Sequence, residues 1–205
     1  MSLLPHLPKP VVWAHTALAQ VLLPGNTAVD ATVGNGFDTL FLAQTVGPSG
    51  KIFGFDIQSQ AIANTHALLR NHSIEDDRVT LFQTSHAEWP SHLPDPAKNQ
   101  LRAVTFNLGY LPGGDKSVTT LPDSTLLALD AARSLLPAGG LLSVVAYPGH
   151  STGLLEARAV EAWMNSLCPS EFDVQHLRSL HRHRPPPELW LALKTRTPHL
   201  PDPIP

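Results

Sequence analysis

Short apolar runs and longer amphipathic runs take turns along most of the chain. Thr27–Ala31, Lys51–Asp56, Arg78–Gln83, Ala103–Asn107 and Leu141–Tyr147 have the length and branched or aromatic content of buried strands. Gly36–Thr45, Ser59 to about Asn71, Pro122–Leu136 and Gly153–Leu167 have the spacing of helices. A first helix, about 11–23, precedes them and stops at Pro24-Gly25. Two further strands, Glu171–Leu177 and Glu188–Lys194, close the pattern around the polar stretch Ser179–Pro187. Glu88–Gln100, with its three prolines, reads as loop with one helical turn. Alternation of this kind predicts an α/β fold, a mostly parallel seven-stranded sheet with helices on both faces. It predicts one domain over 1–195 and a Pro-rich tail over 196–205.

Composition narrows the picture. A chain of 205 residues suits a single core. Cys168 is the single cysteine, so an intrachain disulfide and a cysteine metal cluster are both excluded. No apolar run approaches the roughly 18 residues of a membrane span, and Met1–Pro10 lacks a signal pattern. The expectation is a cytoplasmic protein away from membranes. The formal charge of −3 argues against a strongly electrostatic nucleic-acid binder, but eleven histidines soften that argument. A homodimer stays open.

The candidate chemistry lies where strands end. Val29–Thr39 joins the first strand to the first following helix, with Gly34 and Gly36 letting the backbone approach a ligand. Asp30 stands at the carboxyl end of that strand, and Asp56 closes the next one, about 20 residues past the turn, where a carboxylate grips ribose hydroxyls. A dinucleotide fingerprint asks for a third small residue at position 39, where Thr39 stands. A carboxylate at position 30 suits a cationic methionine end better than a pyrophosphate. Beyond the fourth strand, Asn107-Leu-Gly-Tyr110 offers an amide oxygen to aim an amine and a ring to stack on a flat base. Leu111–Ser117 has the length and content of a substrate loop, with Asp115 as acceptor or base and Lys116 as a phosphate contact. A nicotinamide-dependent oxidoreductase and a non-catalytic RNA-binding protein stay open as rivals.

Asp30–Gly36 resembles motif I of class I methyltransferases, with Thr32 in place of its first glycine. Phe55–Gln58 resembles their motif II, and Asn107–Tyr110 resembles the Asn-Pro-Pro-Tyr motif of amino-group methyltransferases, with Leu108 and Gly109 in place of the prolines. These blocks, with Tyr147-Pro-Gly-His150, Gly153 and Glu156, are similar to the family long labelled "putative rRNA methylase", whose characterised members are tRNA methyltransferases of the MnmM type. The resemblance runs from about Val11 to Leu193 and implies a Rossmann-like class I methyltransferase fold. It implies S-adenosyl-L-methionine as cofactor, S-adenosyl-L-homocysteine as its product, and tRNA, at the anticodon region, as partner. The implied reaction is N-methylation of the 5-aminomethyl group of (2-thio)uridine at the wobble position, and no metal is called for.

Around the cofactor the resemblance places Asp30, Gly34, Asn35, Gly36, Asp38, Asp56, Gln58, Ser85, His86 and Asn107. Catalysis is assigned to Asn107, Tyr110 and Asp115, and substrate contact to Tyr110, Lys116 and His150; Arg182 and Arg184, in a stretch that departs from the family, join the substrate contacts for their charge. Asp115 and His150 are the candidate proton acceptors, and Arg178, Arg182 and Arg184 form a candidate RNA-facing patch.

Overall fold

The computed structural model describes residues 7–74, 77–115, 117–180 and 185–196. In chain order the elements are α1 (Pro10–Val21), β1 (Thr27–Asp30), α2 (Phe37–Val46), β2 (Lys51–Asp56), α3 (Ser59–Asn71) and β3 (Val79–Gln83). A 3-10 turn (His86–Glu88) and two short helices, α4 (Trp89–His92) and α5 (Asp95–Asn99), lead to β4 (Leu101–Asn107). Then come α6 (Pro122–Leu135), β5 (Leu141–Ala146), α7 (Ser151–Asn165), β6 (Phe172–Arg178) and β7 (Glu188–Lys194).

The strands form one sheet in the order β3-β2-β1-β4-β5-β7-β6. All neighbours run parallel except β7, which lies antiparallel to both β5 and β6. Strand side chains alternate between faces, and the core sorts accordingly. Val29, Phe53, Phe55, Val104, Phe106, Leu142 and Val144 join one buried cluster with residues of α6 and α7. Ala28, Ile52, Ala103 and Leu141, one register step away, join a second cluster with α1, α2 and α3. Each fully buried branched or aromatic side chain contributes roughly 1.5–3 kcal/mol. A one-residue slip would turn every such residue to the opposite layer.

The expected seven-stranded α/β sheet is therefore present, with boundaries shifted by a residue or two, within the normal fraying of helix and strand ends. One expectation fails. Glu88–Gln100 is largely helical, not loop. Pro90 and Pro96 sit in first turns, where a missing N–H costs little, and Ser85 caps the preceding turn. Buried Trp89 anchors the segment by donating its Nε1–H to the Ala128 carbonyl at 3.1 Å.

Because β1 pairs with β2 on one side and β4 on the other, the chain reverses its winding direction there. In open α/β sheets that point leaves a crevice at the carboxyl ends of the strands. Asp30, Asp56 and Asn107 are the last residues of β1, β2 and β4.

Candidate active site

A cleft of about 1170 Å³ opens at those strand ends. Its wall includes Gly34, Asn35 and Asp38 from the β1–α2 turn, Asp56 and Gln58, then Ser85 and His86. Asn107 and Tyr110 follow, and Tyr147 and His150 complete the opposite side.

The turn between β1 and α2 is held from several directions. Asp56 accepts the Gly34 N–H on Oδ2 and the Gln58 N–H on Oδ1, each at 2.9 Å. A carboxylate oxygen can accept more than one hydrogen bond, so Asp56 fixes both turns and keeps acceptor capacity toward the cleft. Gly36 has φ +84°, and a Cβ there would lie 2.6 Å from Thr65 Oγ1, so no other residue fits. Asn35 donates from Nδ2 to the Pro112 carbonyl at 3.3 Å and accepts from Asn64 Nδ2 at 2.9 Å. It thereby ties the turn to the segment after β4. Ser85 spends its hydroxyl oxygen on the Ala87 N–H. Burial pushes the His86 imidazole down to about 4, so its ring is neutral at physiological pH.

Asp30 is not on the cleft wall. It is fully buried behind it, with Oδ1 accepting from the Thr32 N–H and Oδ2 from the Thr39 hydroxyl. Burial first, then the nearby Asp38 charge, raises its carboxyl to about 7. The cleft is reached instead by Asp38, at the start of α2, and by Asp56. Asp38 Oδ1 accepts from His15 Nε2 of α1 at 2.6 Å, and the His15 ring stacks on Phe41 at 3.9 Å.

Asp38 also orients Asn107. Its Oδ2 accepts from Asn107 Nδ2 at 3.3 Å, and a carboxylate accepts only from the NH2 side of an amide. Burial and the Asp38 charge raise the Tyr147 hydroxyl above its ordinary value, so it keeps its proton. Asn107 N–H is given to Thr32 Oγ1 at 2.6 Å. Among the described residues Asn107 Oδ1 is buried without a partner, as are Thr119 Oγ1, Ser143 Oγ and His150 Nε2. An unsatisfied buried acceptor costs about 1–3 kcal/mol, and Asn107 lines the cleft, where a donor from outside the chain has access.

Other expected residues fare differently. Tyr110 stands at the rim, 37% exposed, 5.7 Å from the His150 ring. Asp115 is exposed and outside the cleft wall, and hydrogen bonds from the Ser117 N–H and hydroxyl depress its carboxyl further. Its place and its lowered carboxyl both count against it as the base. His150 lines the cleft, but its Nδ1 accepts the Gly153 N–H at 3.0 Å and so caps α7. A neutral ring then carries its proton on Nε2 and has no lone pair left to take another. Lys116, Arg182 and Arg184 lie outside the described residues; Arg178 ends β6. Sequence reasoning missed His15 and Tyr147 as site residues, and Thr32 as more than a replaced glycine. His15 belongs to no motif and sits on an ordinary amphipathic helix.

Sheet order, antiparallel β7 and a cleft walled by motifs from β1, β2 and β4 define a class I methyltransferase fold. The chain belongs to the family described as "Putative rRNA methylase", whose model matches residues 52–193. It is 42% identical over 176 residues, 82% of its length, to the "tRNA (mnm(5)s(2)U34)-methyltransferase, chloroplastic" of Arabidopsis thaliana, and spans 64% of that protein. Among solved structures it resembles a "putative rRNA-methylase" of Clostridium thermocellum: 39% identity, TM-score 0.86, covering 93% of this chain and 100% of that one. A "putative methyltransferase" of Streptococcus mutans, solved in complex with SAH, is 33% identical with TM-score 0.80, covering 92% of this chain and 99% of that one.

Proposed function

We propose that this protein uses S-adenosyl-L-methionine to methylate the primary amine of 5-aminomethyl(-2-thio)uridine at the wobble position of tRNA. The observation that carries the reading is the buried Oδ1 of Asn107, without a partner among the described residues, its amide turned by Asp38 so that an acceptor faces the incoming group. The cleft fits the cofactor: Asp56 retains acceptor capacity for ribose hydroxyls, neutral His86 lies beside Ser85, and Asp38 supplies a carboxylate for a cationic group. When bound, the cofactor supplies an activated methyl group on a sulfonium. The relatives support the same reading, through the Arabidopsis protein's name and the SAH held by the Streptococcus mutans structure.

The chain's own residues supply position. An amine N–H donated to Asn107 Oδ1 aims the nitrogen lone pair, and holding two reactants in line is the larger part of such catalysis. Tyr110 and Tyr147, both partly exposed at the mouth, offer ring faces to a flat base. The amine must be neutral to react, and loss of solvent in the cleft lowers its pKa. The basic residues Arg182 and Arg184 are proposed as RNA contacts on sequence alone.

The test is nucleoside mass spectrometry of tRNA bearing 5-aminomethyl-2-thiouridine, incubated with the protein and the cofactor. The expected result is one added methyl on that nucleoside. Methylation of ribosomal RNA with none on this tRNA would overturn the substrate assignment.

A further inference from the structure

The Asn107–Tyr110 segment lacks the proline pair that stiffens the motif it resembles, and Gly109 adopts φ +135°, which favours glycine. Left to itself, such a segment would be loose. It is instead tied at each step. Leu108 N–H donates to the Val145 carbonyl at 2.8 Å, and Gly109 N–H donates to Thr120 Oγ1 at 2.8 Å. The Thr120 N–H returns to the Gly109 carbonyl at 3.1 Å, and Tyr110 bridges Thr119.

Thr120 is itself held from behind. A hydroxyl has one proton; with Gly109 occupying a lone pair, that proton goes to Glu156 Oε2. Glu156, on α7, is 2% exposed and does not line the cleft. Its other oxygen accepts the Thr125 hydroxyl at 2.7 Å. Thr125, having given its single proton away, presents only a lone pair to His86 Nε2 at 3.4 Å. That contact favours the His86 tautomer with the proton on Nε2 and a bare Nδ1.

We propose that Glu156 is a positioning residue for both ends of the cleft: through Thr120 it sets the Leu108–Gly109 backbone beside Asn107, and through Thr125 it sets the tautomer of His86. A buried carboxylate served by two hydroxyls is a poor source of stability, since apolar residues of the same volume commonly do as well or better. Its value lies in fixing the direction of two hydroxyl protons. What is positioned at each end rests on the methyl-transfer reading above.

The test uses Thr120→Val, Thr120→Ser, Thr125→Val and Glu156→Gln in the full chain. Steady-state methyl transfer to tRNA bearing 5-aminomethyl-2-thiouridine is measured beside cofactor affinity by calorimetry. Gly109 amide exchange and His86 ring-nitrogen shifts are followed by NMR. Thr120→Val should lower kcat about tenfold with cofactor affinity kept, as loss of one hydrogen bond and its aim implies. Thr120→Ser, which keeps the hydroxyl, should restore kcat. Thr125→Val should instead move the His86 nitrogen shifts and weaken the cofactor, and Glu156→Gln should show both effects. Wild-type kcat in Thr120→Val overturns the proposal, as do equal losses at both ends in all three disruptive variants, which would mean general loosening. If the wild type does not methylate this tRNA, the functional reading fails. Gly109 exchange and His86 shifts then still decide for or against Glu156: faster exchange in Thr120→Val and moved shifts in Thr125→Val sustain it, and unchanged values overturn it.

Discussion

Asn107→Asp puts an oxygen where Nδ2 now meets Asp38 Oδ2 at 3.3 Å. Two carboxylate charges about that far apart repel by about 5 kcal/mol at an effective dielectric of roughly 20. That repulsion lifts the pair's upper titration step well above the ordinary carboxylate range. Asp38 keeps the charge, because His15 Nε2 donates to it at 2.6 Å, so the introduced carboxyl holds the proton. In that protonated form it imitates the amide: its O–H donates to Asp38, and its carbonyl oxygen faces the cleft. Above the upper step the second charge appears and holds the substrate amine as an ammonium with no lone pair.

The expected result is a ratio of variant to wild-type rate that is highest at the acid end and falls as pH rises through the pair's upper step. Asn107→Ala, with no acceptor, should be about tenfold to hundredfold slower at every pH. The assay is single-turnover methyl transfer to tRNA bearing 5-aminomethyluridine from pH 6 to 9, with cofactor saturating. A pH-independent ratio for Asn107→Asp would refute the coupling to Asp38. A wild-type rate in Asn107→Ala would remove Asn107 as the group that aims the amine.

Asp56→Ala should weaken cofactor binding about tenfold or more, the worth of charge-assisted hydrogen bonds to ribose; unchanged affinity by calorimetry in a folded variant counts against it. Asp30 has its folded pKa raised to about 7 from 3.8, so its contribution to stability is present in full below pH 4 and is lost as pH rises to about 7. With about three units between the two states, that loss reaches up to about 4 kcal/mol. Asp30→Asn should therefore gain on the wild type in denaturant midpoint between pH 5 and 7, and parallel curves would deny it. Thr32→Gly, although it restores the usual motif I residue, should cost about 1–3 kcal/mol of stability and slow turnover, because Asn107 N–H loses its acceptor. Equal melting temperature and kcat would show that bond to be idle.

Much of the site was legible because its motifs are local. Gly34, Gly36 and Asp56 announce themselves by strand-to-turn position, and Asn107 by its place after β4. What stayed hidden is pairing across distance. Asn107 meets Asp38, and Asn35 meets Pro112, only after β1 and β4 have become neighbours in the sheet; no spacing rule says which side chain will face which. The same gap explains the exchange of roles between Asp30 and Asp38. A carboxylate at a strand end was expected in the cleft, but β1 is buried along its whole length and Thr39 covers Asp30 from α2. Prolines in Glu88–Gln100 were read as helix breakers, yet two of them occupy first turns. Position within the helix decided their effect, and that position depended on Trp89 finding the core.

The departures from the general methyltransferase motifs are physically linked. Proline at 108 or 109 would carry no N–H, so the bonds from Leu108 to Val145 and from Gly109 to Thr120 exist only because those prolines are absent. A glycine at 32 would offer no hydroxyl, so the bond from Asn107 N–H to Thr32 Oγ1 exists only because that glycine is absent. Three consecutive backbone N–H groups, those of Asn107, Leu108 and Gly109, are thus held by hydrogen bonds. A proline pair would restrain the same segment through its rings. Ring stiffness belongs to the residue itself, whereas hydrogen-bond stiffness is borrowed from Thr32, Val145, Thr120 and, behind Thr120, Glu156. On the proposed reading, the aim of Asn107 depends on groups from α7 and the β1–α2 turn, and substitutions well away from the cleft reach the amine through them.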